Sequence, residues 1–172
     1  MSSNLIENLV TQAQSGNVDA FGELYEIFSK DMYRFALYYT GSSFLAEDAV
    51  SEAALCAFEK IAQLKKKSAF KSWLFTILFN CCKKAQKEKA LSLRKVELSE
   101  ARNVAEKGGD RFESLAVKTV LEYLEEDERE IILLSFICGY SSGEIGEMLS
   151  MKSGSVRSKK NRTIEKIRNM MR

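Results

Sequence analysis

The chain has no proline and no histidine, and only 9 of its 172 residues are glycine. Proline and glycine interrupt helices and form the tight turns of β-sheet proteins, so their scarcity favours an all-α fold. Histidine is the commonest general base and metal ligand, so its absence removes the usual residues of hydrolase and zinc chemistry. The sequence also lacks a GxxxxGK[ST] phosphate-binding loop. We therefore expect a non-enzymatic protein with no catalytic residues, no metal site and no cofactor.

The cysteines and the apolar runs are informative about the compartment. Neither a CxxC pair nor an apolar run of 18 residues occurs, and the N-terminus MSSNLIENLV has no signal-peptide pattern. We therefore expect reduced, partly buried thiols in a cytoplasmic protein without membrane insertion. The four cysteines are Cys56, Cys81, Cys82 and Cys138.

Charge is distributed unevenly, although the formal net charge is only +2. Residues 64–89 carry +7 from eight lysines and one glutamate, and residues 151–172 carry +7 from eight bases and one glutamate. Between them, residues 113–150 carry −7 from nine acids and two bases. Two separated basic blocks indicate a polyanionic partner contacted at two places. Ordinary solvated helix faces are the alternative explanation.

The apolar pattern predicts two small helical domains. Residues 1–89 show four helix-period segments, the second capped by Asp19 and the third beginning at Ser42 or Ser43. From 90 to 112 the periodicity weakens, and Gly108-Gly109-Asp110 breaks it, so this segment is predicted to be a linker. Residues 113–172 then form the second domain, with helices near 113–124, 127–138, 142–149 and 153–171.

The last two of these helices have the spacing of a helix-turn-helix. Ser153 is predicted to cap the final helix, and an inward apolar stripe runs from Val156 through Ile167 to Met170 or Met171. Ile145 in the preceding helix, with Met148 and Leu149, provides the surface against which this stripe would pack.

The outer face of the final helix is chemically suited to DNA. Arginine and lysine donate to guanine, asparagine pairs with adenine, and serine suits a base edge or a phosphate. A solvated basic helix is the alternative. The predicted DNA-contacting residues are Ser153, Ser155, Arg157, Ser158, Lys159, Asn161 and Arg162.

At this point the sequence resembles a known family. GYSSGEIGEMLSMKSGSVRSKKNRTIEKIR is similar to the second DNA-binding domain of bacterial sigma factors of the extracytoplasmic-function (ECF) class, called region 4. AFGELYEIFSKDMYRFALYYTGSSFLAEDAVSEAALCAFEKI and the following FKSWLFTILFN resemble the other domain, region 2. The resemblance implies a transcription initiation factor that binds RNA polymerase core and directs it to promoter DNA. An anti-sigma factor is a further partner that it implies.

The resemblance assigns a role to the helix over 42–64 and to the final helix. The helix over 42–64 would dock on the clamp helices of the largest polymerase subunit, and the final helix would read the minus-thirty-five element. Without the family, a solvated face is the better explanation of the acidic residues in the helix over 42–64. The implied core-binding residues are Asp48, Ser51, Glu52, Leu55 and Glu59.

The lysine loop at 65–67 and the helix after it would bind the minus-ten element. Melting of this element requires positively charged side chains along the phosphate backbone. Two departures from the family pattern stand out. Lys84 occupies a position where the family usually has a carboxylate, and Lys160 one where it has an apolar core residue. The implied minus-ten residues are Lys65, Lys66, Lys67, Lys71, Asn80, Lys83, Lys84 and Lys87.

Two functions remain open from the sequence. The first is an ECF-type sigma factor that directs promoter-specific initiation. The second is a sigma-like helix-turn-helix regulator or accessory factor that binds DNA without directing initiation. They differ at the acidic helix face, which an initiation factor needs for polymerase and an accessory factor does not.

Overall fold

The computed structural model describes residues 3–96 and 113–171. The regular secondary structure in these two ranges is entirely helical. The chain divides into two compact units, Met1–Glu106 and Lys107–Arg172. The predicted all-α class with two helical domains is therefore confirmed. The breaker Gly108-Gly109-Asp110 lies outside the described residues.

The described part of the first unit contains four helices, and the last of them, α4 (Phe70–Val96), continues seven residues beyond the predicted end at Lys89. Two short 3-10 turns, Ile61–Gln63 and Lys67–Ala69, connect α3 to α4. The packing pairs are α1 with α2, α2 with α3, α3 with α4, and α2 with α4. The helices are α1 (Ser3–Gln14), α2 (Val18–Thr40), α3 (Ser43–Lys60) and α4 (Phe70–Val96).

Local hydrogen bonds fix where these helices begin. Asn17, and not Asp19 as predicted, is the N-cap of α2, and its side-chain oxygen accepts from the Ala20 amide at 3.2 Å. The prediction failed because Asn17 and Asp19 are equally good capping residues by type. Ser42 caps α3 as predicted, since its hydroxyl accepts from the Leu45 amide.

Aromatic side chains fill the centre of the first unit. Phe35 is fully buried, and its ring lies 6.2 Å from that of Phe75 and 6.5 Å from that of Phe79. On α3 the side facing this core carries small residues, which allow close helix packing. Phe58, near the end of the same helix, is 43% exposed. The buried small residues are Ala46, Ala49, Ala53 and Ala57.

The described part of the second unit also contains four helices, and the last of them, α8 (Ser153–Met170), packs against both α6 (Glu126–Phe136) and α7 (Ser142–Leu149). Arg129 links α6 to α5 (Glu113–Glu122). Its guanidinium donates to the carbonyls of Leu121 at 2.9 Å and Leu124 at 3.2 Å. Leu121 lies in the last turn of α5 and Leu124 lies two residues beyond its end, so the guanidinium caps the C-terminal end of that helix. The helices are α5 (Glu113–Glu122), α6 (Glu126–Phe136), α7 (Ser142–Leu149) and α8 (Ser153–Met170).

Candidate nucleic-acid interface

Helix α7 begins with a reciprocal cap. The Glu144 carboxylate accepts from the Ser141 amide at 2.8 Å and from the Ser141 hydroxyl at 2.7 Å, while that hydroxyl also accepts from the Glu144 amide. These hydrogen bonds, the one from the Ser141 amide first, lower the pKa of Glu144. The start of the helix-turn-helix is therefore fixed by an ionised side chain.

The turn between α7 and α8 is tight. Ser150 adopts a left-handed conformation with φ 56°, and the Met151 amide donates to the Gly146 carbonyl at 2.8 Å. A Cβ atom placed on Gly146 would lie 2.6 Å from the Met151 carbonyl oxygen. Only glycine fits at this position, because the backbone of the turn passes directly over it. Position 146 therefore sets the geometry between the two helices.

The start of α8 differs from the prediction. Lys152, and not Ser153, occupies the N-cap position, and no side-chain hydrogen bond caps the helix there. The amides of Ser155 and Val156 instead donate to the Lys152 carbonyl at 2.9 and 3.1 Å. Ser153 is the first residue inside the helix, because the extended Lys152 supplies the carbonyl that accepts the first helical hydrogen bonds. Its hydroxyl is left on the exposed side.

The inward stripe of α8 is shorter than predicted. Val156 and Thr163 are fully buried, and Ile167 is half-buried. Met170 and Met171 are 43% and 71% exposed, so the prediction that one of them packs inward was wrong. The stripe ends because the last turn of α8 extends past the core of its unit. In α7 Ile145 is fully buried as predicted, whereas Met148 and Leu149 are half-buried.

The outer face of α8 is accessible along its first half. Six of the seven predicted DNA-contacting residues are exposed, and the exception, Lys159, is half-buried. Spacings of three and four residues place Arg157 and Asn161 on one side and Ser155, Ser158 and Arg162 beside them, opposite the buried stripe. The exposed residues are Ser153, Ser155, Arg157, Ser158, Asn161 and Arg162.

Two lysines on the inner flank of α8 form ion pairs with α6. Lys159 pairs with Asp127, and Lys166 pairs with Glu128 at 2.7 Å. The hydrogen bond from Lys159 lowers the pKa of Asp127. Burial alone would raise the pKa of Glu128, but the hydrogen bonds from Lys166 and from the Glu125 amide outweigh it and lower that pKa.

The surroundings of Lys160 explain one departure from the family pattern. Its ammonium donates to the Ser135 hydroxyl at 2.9 Å and lies 5.6 Å from the centroid of the Phe136 ring. The aliphatic part of the side chain lies at the half-buried edge of the interface while the charge reaches a hydroxyl and an aromatic face. A lysine thus occupies this core-edge position without an uncompensated buried charge.

In the first unit, the five predicted core-binding residues share one face of α3. Asp48, Ser51, Leu55 and Glu59 are exposed, and Leu55 is an apolar residue 61% exposed among the carboxylates. The Ser51 hydroxyl donates to the Glu47 carbonyl at 2.9 Å, so it is directed along its own helix. Glu52 is half-buried and contacts α4.

The predicted minus-ten residues lie in three places: one face of α4, the opposite side of α4 and the loop before it. Asn80, Lys83, Lys84 and Lys87 are exposed on one face of α4. Lys71 is also exposed, but nine residues before Asn80 is about two and a half turns, which places it on the opposite side of the helix. In the preceding loop Lys65 and Lys66 are exposed, and Lys67 donates to the Thr11 hydroxyl at 2.8 Å.

An ion pair connects these two predicted surfaces. The Lys84 ammonium lies 2.7 Å from a Glu52 carboxylate oxygen. The hydrogen bond to Glu52 raises the pKa of the Lys84 ammonium. Lysine at position 84 is therefore matched to a carboxylate on the neighbouring helix.

A shallow cleft of about 200 Å³ lies beside this pair, between α3 and α4. Burial, with smaller contributions from Glu52 and Cys56, raises the pKa of the Cys81 thiol to about 11. Such a thiol is protonated and weakly nucleophilic at neutral pH. The four cysteines are free, and all but half-buried Cys56 are buried, as predicted. The cleft is lined by Cys56, Lys60, Ile77, Asn80, Cys81 and Lys84.

The contribution of α6 to the candidate nucleic-acid interface could not be predicted from the sequence. Asp127 and Glu128 were recognisable only as part of an acidic segment, and Ser135 gave no signal. Pairing across 32 or more residues depends on how the helices cross, which spacing along the chain does not contain. An unusual lysine at position 160, inside an apolar stripe, was the one indication that α8 had a polar neighbour.

No described helix combines the length and apolar character needed to cross a membrane. Among residues 3–96 and 113–171, no group of three or more acidic or cysteine side chains is placed to hold a metal ion.

Comparison with known proteins identifies the family. Residues 24–90 match the model of sigma-70 region 2, and residues 114–167 match that of sigma-70 region 4. Together these matches cover most of the chain, and it belongs to the sigma-70 family. This family consists of transcription initiation factors, which are not normally enzymes.

Within the family, the chain is a sigma factor of the ECF class. It is 29% identical to the ECF RNA polymerase sigma factor BldN of Streptomyces coelicolor, over 99% of this chain and 67% of that protein. It is 24% identical to SigW of Bacillus subtilis, over 98% of this chain and 97% of that protein.

A solved structure shows the same fold. It is the sigma factor RpoE in complex with the anti-sigma factor NepR, from Bartonella quintana. The TM-score is 0.75 at 22% identity, covering 90% of this chain and 98% of that one.

Proposed function

We propose that this sigma factor binds RNA polymerase core and directs it to promoters, which it contacts at two elements. The observation that carries this proposal is the capped helix-turn-helix whose second helix presents arginine, serine and asparagine side chains on one exposed face. A solvated basic tail would bind DNA through its charge alone and would have no fixed orientation. Helix α8 is held in place by the buried Val156 and Thr163 and by the tight turn at Ser150.

Region 4, which we assign to residues 113–172, would read the minus-thirty-five element. The predicted DNA-contacting residues of α8 lie in its first half, the part that a recognition helix inserts into the major groove. Arg157, Asn161 and Arg162 carry the donors that guanine and adenine accept, and the serines suit phosphates.

Region 2, which we assign to residues 1–89, would contact the minus-ten element through α4. Asn80, Lys83, Lys84 and Lys87 share one exposed face, which suits a phosphate backbone and the bases beside it. Lys65 and Lys66 extend the positive surface along the preceding loop. Lys71, on the other side of α4, is a weaker candidate for the same contact.

The α3 face would bind the clamp helices of the largest polymerase subunit. Exposed Leu55 is surrounded by Asp48, Glu52 and Glu59, an arrangement that suits a partner helix pair carrying arginines. An exposed leucine among carboxylates favours a protein-binding surface, because a solvated acidic face is not stabilised by an exposed apolar side chain.

We further propose that the chain itself performs no catalysis and that it acts in the cytoplasm, where bacterial transcription takes place. An anti-sigma factor is a reasonable regulator, because the structural neighbour RpoE forms a complex with one. An accessory factor that binds DNA without directing initiation is the alternative, and core binding distinguishes it.

Co-purification with core polymerase tests the α3 face. The double variant Asp48→Lys/Glu52→Lys should lose core binding, because it replaces two negative charges of the docking surface by two positive ones. Glu23→Lys/Glu26→Lys makes the same charge change at exposed positions of α2 and should retain binding. Equal core binding by both double variants would contradict the α3 interface, and no core binding by the wild-type chain would favour the accessory factor.

A further inference from the structure

Three lysines of α8 contact both ends of α6. Lys159 and Lys166 pair with Asp127 and Glu128 in the first turn of α6, and Lys160 donates to Ser135 in its last turn. Because the contacts lie at both ends of α6, they constrain how α8 crosses it.

The contacts also lie on both edges of the buried stripe. At about 100° per residue, Lys159 and Lys160 flank the line from Val156 to Thr163 on opposite sides. A rotation of α8 in either direction would therefore stretch one of the two contacts. The rotation decides which side chains of the outer face meet base edges in a groove.

We propose, on the basis of the DNA-binding function above, that Lys159 is a positioning residue that fixes the rotation of α8 through Asp127, and not a residue that contacts DNA. This reassigns Lys159 from the predicted DNA-contacting set and adds Asp127 to the determinants of promoter recognition. The reading face then consists of the exposed residues around Arg157, Asn161 and Arg162.

Electrostatics distinguishes the two roles. A lysine that neutralises a phosphate releases counterions, and it contributes about 0.9 to the slope of log affinity against log salt concentration. A lysine already neutralised by Asp127 contributes little to that slope. The two roles also predict opposite effects of removing the Asp127 charge, which either loosens the helix or frees a cation for DNA.

The expected effect is modest. The side chains of Lys159 and Asp127 are 28% and 43% exposed, so solvent screens their attraction. Pairs of this kind change an equilibrium by roughly two- to five-fold. Loss of binding altogether is not expected from either residue.

The test uses polymerase core bound to the full chain, with a promoter fragment selected by transcription of a genomic library as the probe. Lys159→Met and Asp127→Asn should each weaken promoter binding about two- to five-fold. The double variant should be no weaker than the single variants, and the salt slope should be unchanged in all three. As a control, Lys87→Met and Asp127→Asn should combine additively, because Lys87 is exposed on α4 of the first unit and takes no part in the rotation of α8.

Three results would overturn the proposal: a salt slope lowered by about 0.9 in Lys159→Met, tighter binding by Asp127→Asn, or additive effects of the two changes. Asp127→Asn is nearly isosteric, so it keeps the test valid if Lys159→Met unfolds the domain. Failure of the proposed function would appear differently, as a wild-type chain that directs no initiation from any library fragment.

Discussion

The Lys84 ammonium on α4 lies 2.7 Å from the Glu52 carboxylate on α3, so one ion pair joins the helix proposed to bind polymerase to the helix proposed to bind the minus-ten element. The side chains are 57% and 42% exposed, so the pair is screened by solvent and can exchange partners. When a positively charged side chain of polymerase pairs with Glu52, Lys84 loses its partner within the chain and becomes available to bind DNA.

Replacing Lys84 should therefore strengthen core binding. Lys84→Met frees Glu52 from its internal partner, and we expect an affinity for polymerase core higher by no more than about five-fold. Titration of labelled core measures this change, with Lys87→Met, exposed on the same face of α4, as the control for charge removal. Weaker core binding by Lys84→Met than by Lys87→Met would contradict the exchange.

A methyl group at position 146 should destabilise the second unit. In Gly146→Ala the new Cβ meets the Met151 carbonyl oxygen at 2.6 Å, and the turn must shift. We expect a loss of about 1–3 kcal/mol in the free energy of unfolding. Gly154→Ala is the control, because nothing lies within 4 Å of its added Cβ.

Hydrogen exchange of the α7 and α8 amides measures this loss, and the fluorescence of Trp73, the single tryptophan, reports separately on the first unit. Equal protection in Gly146→Ala and Gly154→Ala would show that the turn accommodates the methyl group.

Acid should destabilise the second unit through three carboxylates. The folded state lowers the pKa values of Asp127, Glu128 and Glu144. Their stabilisation is therefore present above the unfolded pKa values of about 4 and is lost as the pH falls through the lower folded values. Protection factors of the α8 amides should fall below about pH 4.

The triple variant Asp127→Asn/Glu128→Gln/Glu144→Gln should show a weaker pH dependence than the wild-type chain. An identical decline in protection would mean that other groups govern the acid response of this unit.

Removing an arginine from the outer face of α8 should weaken promoter binding. Arg157→Ala or Arg162→Ala should cost about 1–3 kcal/mol if the side chain reads a base, and discrimination at that base should relax. Footprinting of the holoenzyme at several salt concentrations measures both effects. Unchanged footprints and salt slopes for both variants would contradict DNA reading by this helix.

The helices were predictable because their patterns are local. The absence of proline, the apolar spacing and the serine at position 42 each act within a few residues. The errors were also local: Asn17 and not Asp19 caps α2, and Lys152 and not Ser153 occupies the N-cap position of α8.

The contacts between helices were not predictable in the same way. The ion pairs of Lys84 with Glu52 and of Lys159 with Asp127 each join residues 32 positions apart. Such pairs depend on crossing angles that no periodicity encodes. The sequence therefore located the exposed surfaces, whereas the structure located the side chains that hold them in place.

Run-off transcription with purified core polymerase on a genomic fragment library tests the central claim most directly. The wild-type chain should direct discrete transcripts from a subset of fragments, and Asp48→Lys/Glu52→Lys should direct none of them. Transcripts that are the same with and without the wild-type chain would contradict its assignment as a promoter-directing subunit.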